Sequence, residues 1–371
     1  MKHVKNSLFL LTLLILFTSQ LPATIIASYL LAIVYLLLRA EKTTFSRTKF
    51  GVCTAICILL LASALTFNHG PTPLIYLTLS PFLLLMSDEF SKDHLDTIEG
   101  SLRNVYWIFV SLIAIALIVF RDEPEPLGAI LPWASTNGIP SYLIVVQIAF
   151  SLAHYLKYDR LPILSTIITL TVAVYGLGRG SMIVGFLLVL ISILINISIA
   201  KSNSYRSITT TITFTAMLIA TALILVNFDQ LEQAINVWIE GSKFSGGILD
   251  EHRGRILTDY LKKIDGATLL FGSDYENTSI TQHYGGNPHN SYIRAHSFYG
   301  IGGLILVTTP LLMMCLSRKE LKQKIVFILL TSLALLRAAS EPIFFPSTLD
   351  FFYALYFFMF FRFSRPVKKV R

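Results

Sequence analysis

Long apolar runs recur through this chain, and they limit its possible folds more strictly than any other feature. We delimit these runs as Ser7–Ser19, Pro22–Leu38, Phe50–Phe67, Pro73–Met86, Asn104–Phe120, Ser141–Leu156, Leu161–Leu177, Ser181–Ile199, Ile208–Val226, His289–Leu316, Ile325–Ala339 and Leu349–Phe361. A helix satisfies its own backbone hydrogen bonds in lipid, so runs of this kind predict membrane-spanning helices. Charged residues make up only 14% of the 371 positions, whereas a soluble domain averages about 25%. We predict an all-α polytopic membrane protein with about twelve transmembrane helices.

The predicted spans divide the chain into three parts. Residues 1–226 carry the first nine spans, residues 227–288 form one large polar loop with short helices, and residues 289–371 carry the last three spans and a basic tail. The basic start followed by a short apolar run has a rival interpretation as a cleaved signal peptide. We favour a first span that turns at Ser19-Gln20-Leu21-Pro22, because no small-x-small cleavage site followed by a soluble stretch is present.

Basic residues alternate between the two sides of this predicted topology. Most of the 30 Lys and Arg residues fall in every second connection, and the long loop is not counted by the positive-inside rule. The alternation predicts cytoplasmic termini, with residues 227–288 on the outer face of the membrane. The net charge of +8 therefore reflects membrane insertion, and we expect no nucleic-acid partner.

A helix rich in polar side chains is predicted where the long loop returns to the membrane. Pro288 suits the first helical position, because its missing N–H needs no partner there. At 3.6 residues per turn, His289 and His296 share one stripe with two glycines, while Asn290 and Arg294 lie on a second stripe. Both stripes cannot face hydrocarbon, so we expect this helix end to be buried against other helices or a wet cavity.

Other charged residues on the predicted outer face are also candidates for a functional site. Arg179 lies in the glycine-rich turn Gly178-Arg179-Gly180-Ser181, where open backbone N–H groups favour anions, although a snorkelling arginine would also fit. Arg253 and Arg255 start a predicted helix, where positive charge needs a compensating anion, although a solvated loop would also explain them. Arg337 and Glu341, at i and i+4, could form a purely structural ion pair.

These residue types favour one kind of chemistry. Arginines bind pyrophosphate through forked, permanently charged hydrogen bonds. A neutral histidine can accept a proton from a sugar hydroxyl near neutral pH. No Cys, His or Asp spacing of the metal-binding type occurs, so we expect no metal or other cofactor. The combination points to a sugar donor linked to a polyprenyl pyrophosphate, used within the membrane.

The same residues resemble a known family, the bacterial O-antigen ligases and polysaccharide repeat-unit polymerases. That family carries a motif that begins with His followed by Asn, Ser or Gln. After nine further residues come a Gly, two residues of any type, and then Gly, Thr or Tyr. The segment from His289-Asn290 through Gly300 to Gly303 matches this motif without a gap. Gly178-Arg179-Gly180-Ser181, Gly254-Arg255 and Leu270-Phe271-Gly272-Ser273 resemble its remaining motifs in the same order. The likeness covers roughly residues 173–303, and it departs from the family at Thr258-Asp259-Tyr260, where a tryptophan is common.

The resemblance implies a metal-independent, inverting glycosyl transfer at the periplasmic face. Its donor would be an oligosaccharide on undecaprenyl pyrophosphate, and its further partners would be membrane lipid, a chain-length regulator and a flippase. It implies that Arg179 and Arg255 hold the pyrophosphate and that His289 is the general base or orients the acceptor. We place Arg253, Asn290, Arg294, Arg337 and Glu341 among the substrate-binding residues, with Asn290 orienting His289.

Three functions remain open at this point. We favour a repeat-unit polymerase, because the segment from Leu336 to Phe351 resembles the endings of such polymerases and no additional basic cluster is present for a phosphate-rich acceptor. A ligase that transfers the glycan to lipid A-core shares the motif. A flippase or other transporter is the third reading, but transporters concentrate charges near the membrane centre and often contain repeats, and neither feature is seen here.

Overall fold

The chain folds into a bundle of helices. The computed structural model describes residues 22–39, 47–66, 70–123, 126–130, 138–176, 178–199 and 251–366. Within these ranges no strand occurs, and an isolated β-bridge joins Lys319 to Pro366. The described helices are α1 (Pro22–Arg39), α2 (Arg47–Thr66), α3 (Thr72–Ser91), α4 (Leu95–Val119), α5 (Pro126–Ile130), α6 (Gly138–Tyr158), α7 (Ile163–Tyr175), α8 (Arg179–Ile199), α9 (Glu251–Leu261), α10 (Gly266–Phe271), α11 (Ser279–Tyr284), α12 (Ser291–Leu316), α13 (Leu321–Ala338) and α14 (Asp350–Phe363).

Five of the described helices are long and apolar enough to cross a membrane, namely α3, α4, α6, α8 and α12. Every span predicted within the described ranges overlaps a helix of this bundle. Two predicted spans, Ser7–Ser19 and Ile208–Val226, lie outside the described residues. The predicted all-helical membrane architecture is therefore supported, whereas the number of twelve spans stays a prediction.

Helix α6 lies at the centre of the bundle. Nearly all of its residues are buried, and it packs against α4, α7, α13 and α14. Its buried Gln147 amide donates hydrogen bonds to the hydroxyls of Ser151 and Ser165, both at 2.9 Å. Tyr356 on α14 donates to the Val145 carbonyl at 2.7 Å. These bonds matter because a buried polar group left unpaired costs about 1–3 kcal/mol.

A charged cluster fixes α4 to α6 at one end of the bundle. The carboxylate of Glu99 is fully buried and lies 3.3 Å from Arg103 Nη1, 3.3 Å from His154 Nδ1 and 3.4 Å from Lys157 Nζ. Lys157 also approaches Asp96 at 2.9 Å. A buried carboxylate is tolerated when several donors compensate it, and these three supply that compensation.

The opposite end, which we call the site end, is where α3, α6, α8, α12 and α14 begin and α2, α7 and α13 end. The short helices α9 and α11 pack against the start of α12 through a small core of Ile256, Tyr260, Tyr275, Ile280 and Ile293. Ile256 and Tyr260 lie one helical turn apart on α9, and this spacing places both in the contact. Of the predicted polar loop, residues 227–250 lie outside the described residues.

Two glycine motifs meet where α10 packs against α12. Gly300 interrupts α12 with φ +58°, and a Cβ added there would lie 1.9 Å from the Leu270 carbonyl oxygen. Gly272 ends α10 with φ +95°, and a Cβ there would lie 2.3 Å from the Ser297 carbonyl oxygen. Both positions therefore require glycine for backbone conformation and for close approach. Gly300 thus lets α10 approach the backbone of α12 closely.

Candidate functional site

Helix α12 begins later than the sequence suggested, and this changes the setting of His289. The helix starts at Ser291, so the prediction that Pro288 occupies its first position was wrong. Asn290 is the N-cap, and its side-chain oxygen accepts hydrogen bonds from the N–H groups of Tyr292 at 2.8 Å and Ile293 at 3.1 Å. A strong N-cap side chain outweighs the weaker preference for proline at the first position. His289 consequently lies before the helix, with φ +45°.

Glu341 lies between His289 and Arg337. Its Oε2 is 3.6 Å from His289 Nδ1, and its Oε1 is 3.5 Å from Arg337 Nη2. The side chains of Arg337 and Glu341 are only 2% and 6% exposed, and that of His289 is 15% exposed. The predicted ion pair of Arg337 with Glu341 is confirmed, and the structure adds the histidine to it. The histidine and the arginine thus face the two oxygens of one carboxylate.

Arg337 joins this cluster to the glycine-rich turn that carries Arg179. Its Nε donates to the Ser181 hydroxyl at 2.9 Å, and its Nη1 donates to the Ser340 hydroxyl at 2.6 Å. Gly180 allows the contact, since a Cβ there would lie 2.6 Å from Ser340 Oγ and 3.1 Å from Arg337 Nη1. Arg179 is partly exposed at the start of α8, beside these groups. Residues distant in sequence thus form one polar cluster at the site end.

Arg294, which the sequence placed among the substrate-binding residues, holds the loop between α13 and α14. Its Nη2 donates to the carbonyl oxygens of Pro342 and Phe344, the second at 3.2 Å. Ser291 supports the same loop, donating to the Glu341 carbonyl at 2.9 Å and accepting from Phe344 N–H at 3.0 Å. These bonds fix the backbone on which Glu341 is presented. A role for Arg294 in binding substrate stays a prediction.

The arginines of α9 are placed differently. The side chain of Arg255 is exposed on α9. Arg253 lies in the first turn of α9, but its side chain is outside the described part of the chain. The structure therefore presents Arg255 to solvent, and the predicted contact of both arginines with pyrophosphate stays a prediction.

His296 connects α9 and α10 to α12 through two hydrogen bonds. Its Nε2 lies 3.1 Å from the Leu269 carbonyl oxygen, so that nitrogen carries the proton and donates. Its Nδ1 lies 2.9 Å from Tyr260 Oη and accepts the phenolic hydrogen. Burial raises the pKa of Tyr260, which keeps the phenol protonated for this bond.

A long apolar groove runs along α12 and reaches the loop between α13 and α14. It has a volume of about 390 Å³ and is lined by residues of α2, α3, α12 and α14 together with Phe345 and Pro346. Along α12 it extends from Ala295 to Met313, which corresponds to about 27 Å at 1.5 Å per residue. It ends at Phe345 and Pro346, which belong to the loop that Arg294 holds. The groove has the shape and polarity for an extended hydrocarbon chain.

The arrangement can bind an anion and move a proton, and it offers no metal site in the part of the chain described. Within the described ranges no group of three or more His, Cys, Asp or Glu side chains could hold a metal ion. The sequence reasoning did not identify Ser181, Ser340 and Ser291 as structural partners of the charged residues. Only Ser181 was marked by the sequence, through its position in the glycine-rich turn. A hydroxyl group that contacts an arginine far away in the chain leaves no pattern in a single sequence.

Comparison with known proteins adds no further assignment. No family model, no curated protein and no solved structure matches this chain. The function must therefore be argued from the residues and geometry described above.

Proposed function

We propose that this protein is a polysaccharide repeat-unit polymerase, of the O-antigen or capsule type. It transfers a glycan from undecaprenyl pyrophosphate onto another lipid-linked repeat unit at the periplasmic face of the inner membrane. One observation carries this proposal, namely the cluster of His289, Glu341 and Arg337 against the Arg179 turn. A proton acceptor, its carboxylate partner and a cationic turn adjoin there, and these are the groups that glycosyl transfer from a pyrophosphate requires.

In the proposed reaction the acceptor hydroxyl oxygen forms a bond to the anomeric carbon of the donor. The bond from that carbon to the pyrophosphate oxygen breaks, and the lipid pyrophosphate leaves. His289 Nε2 receives the hydroxyl proton, while the Glu341 carboxylate at Nδ1 orients the ring and stabilises the imidazolium. Attack from the face opposite the leaving group gives inversion without a covalent intermediate.

The negative charge that develops on the leaving pyrophosphate needs fixed cations. Arg179 is suited to this role because it starts α8, where open N–H groups and the helix dipole also favour an anion. Arg255 would supply a second guanidinium from α9, with Arg253 next to it. An exposed arginine can serve in this way when the substrate itself covers it, and the exposure of Arg255 is compatible with that role.

The groove along α12 supports a lipid-linked donor. A polyprenyl chain is long, thin and apolar, and so is the groove, which ends beside the loop carrying Glu341. A donor with its chain in this groove would hold its pyrophosphate near the site end. This placement brings the reacting carbon to the cluster without requiring the lipid to leave the membrane.

Gene deletion in the native host tests the proposed function. We expect the ladder of long polysaccharide to disappear on gels while a single repeat unit stays attached to the core, or a capsule to disappear while the core is unchanged. If even the single repeat is missing from the core and long chains accumulate on the lipid carrier, the protein is a ligase. If the lipid-linked repeat units accumulate on the cytoplasmic side, the protein is a flippase.

Reporter fusions test the proposed topology separately. Fusions near Lys201 and Lys322 should report a cytoplasmic location, and a fusion near Ser245 should report a periplasmic one. A cytoplasmic signal at Ser245 would place the cluster on the wrong side for a periplasmic reaction.

A further inference from the structure

Helix α10 presents large apolar side chains that nothing in the described chain covers. Leu269, Leu270 and Phe271 are 44%, 54% and 39% exposed, and no residue of α10 is buried. The neighbouring helix α9 likewise exposes Leu257 at 48% and Leu261 at 57%. A contiguous exposed apolar patch of this kind marks an interaction surface.

The position of α10 is fixed by its backbone. The helix lies against Gly300 of α12, and its capping box joins Asp265 to Thr268, with Thr268 N–H donating to Asp265 Oδ1 at 2.8 Å. The accepted hydrogen bonds lower the pKa of Asp265, so the cap is present at neutral pH. The backbone is thus anchored while the apolar side chains point away from the protein, which shows that their exposure does not come from a loosely placed loop.

The depth of this contact along α12 locates α10 relative to a membrane. Gly300 is about 24 Å from Leu316, counting 1.5 Å for each residue. Arg318 and Lys319 follow almost immediately and mark the membrane surface at the other end of the bundle. The hydrocarbon layer is about 30 Å thick, so the contact at Gly300 lies about 6 Å inside the boundary at the site end.

The exposed side chains of α10 also adjoin surfaces that face lipid. Helix α10 packs on α2, whose Leu61 and Leu65 are 41% and 63% exposed near that end. On α12, Ile301 directly follows Gly300 and is 38% exposed, and Ile305 is 55% exposed one turn further. The apolar surface of α10 therefore continues the apolar exterior of two helices at the same depth.

We propose that α10 is an interfacial helix inserted into the membrane leaflet at the site end, with lipid acyl chains covering Leu269, Leu270 and Phe271. Helices of this kind insert about 5–10 Å into the boundary between headgroups and acyl chains. The polar loop at residues 227–288, which the sequence placed outside the membrane, thereby contains a membrane-embedded element. This inference does not depend on the proposed enzymatic activity.

Site-directed spin labelling in liposomes tests the proposal. The label is attached to Leu270→Cys in the full chain with native cysteines replaced by serine, and its access to oxygen and to a water-soluble nickel chelate is measured. We expect high oxygen and low nickel access at 270, similar to a label at Ile305→Cys. A label at Lys262→Cys, whose native side chain is 73% exposed, should show higher nickel access.

Two results would overturn the inference. High nickel access at 270 would place α10 in water. Low access to both reagents would show that protein covers it, for example another part of this chain or a second copy. Leu269→Cys provides the same measurement if the Leu270→Cys protein does not fold.

Discussion

The paired removal of Arg337 and Glu341 distinguishes the structural and chemical roles of the cluster. Arg337 is 2% exposed, so Glu341→Gln leaves a buried guanidinium that has lost its carboxylate. Breaking a buried ion pair in this way costs about 3–5 kcal/mol, and the hydrogen bonds from Arg337 to Ser181 and Ser340 favour the lower end. At about 2 °C per kcal/mol, we expect the Tm of Glu341→Gln to fall by roughly 6 °C.

The double variant Arg337→Met with Glu341→Gln should be more stable than the two single losses suggest. Replacement of both members of a buried pair is often neutral, so we expect stability within about 1 kcal/mol of the wild type, a much smaller loss than the sum of the two single variants. The double variant should nevertheless make no polymer, because the Glu341 carboxylate beside His289 is absent.

Thermal unfolding of the four purified proteins in detergent, alongside a polymer assay, measures both effects. The protein without substitution, the two single variants and the double variant form a complete cycle. Additive losses of Tm would refute the buried pair. Recovered polymer synthesis in the double variant would refute the role of Glu341 beside His289.

Three further predictions concern single positions. Gly180→Ala should lower stability by about 1–3 kcal/mol, measured by Tm, because its Cβ would meet Ser340; an unchanged Tm would show that this contact is loose. Gly300→Ala should prevent α10 from packing on α12, since its Cβ would meet the Leu270 carbonyl, and proteolysis between α9 and α11 should increase. Unchanged proteolysis would contradict that contact. Arg255→Lys should reduce polymer synthesis by at least tenfold without changing Tm, because a point charge does not replace the guanidinium fork; full activity would remove Arg255 from the pyrophosphate site.

The hydrophobic pattern predicted the bundle because lipid leaves few alternatives for a backbone. Spans such as Ser141–Leu156 follow from composition alone, and that one coincides with the largely buried α6. The sequence could not indicate that α6 is central while α4 is largely peripheral. Both helices are apolar, and their place in the bundle depends on tertiary packing.

The candidate site was predictable in part. Spacing identified His289, Arg179 and the Arg337–Glu341 pair, but it assigned Pro288 to a helix that starts at Ser291. The N-cap bonds of Asn290 decide that boundary, and single-sequence patterns place boundaries least well. The convergence of His289 and Glu341 depends on the fold of the loop between α13 and α14, which no local periodicity encodes.

One assay tests the central claim most directly. The purified protein is reconstituted in liposomes with a synthetic undecaprenyl-pyrophosphate-linked repeat unit and EDTA, and the products are separated on a gel. We expect a ladder of polymer and free undecaprenyl pyrophosphate, no ladder with His289→Ala, and a normal ladder with the matched control His283→Ala, which changes an exposed histidine of α11. A full ladder from His289→Ala, or a strict need for a divalent cation, would contradict the account.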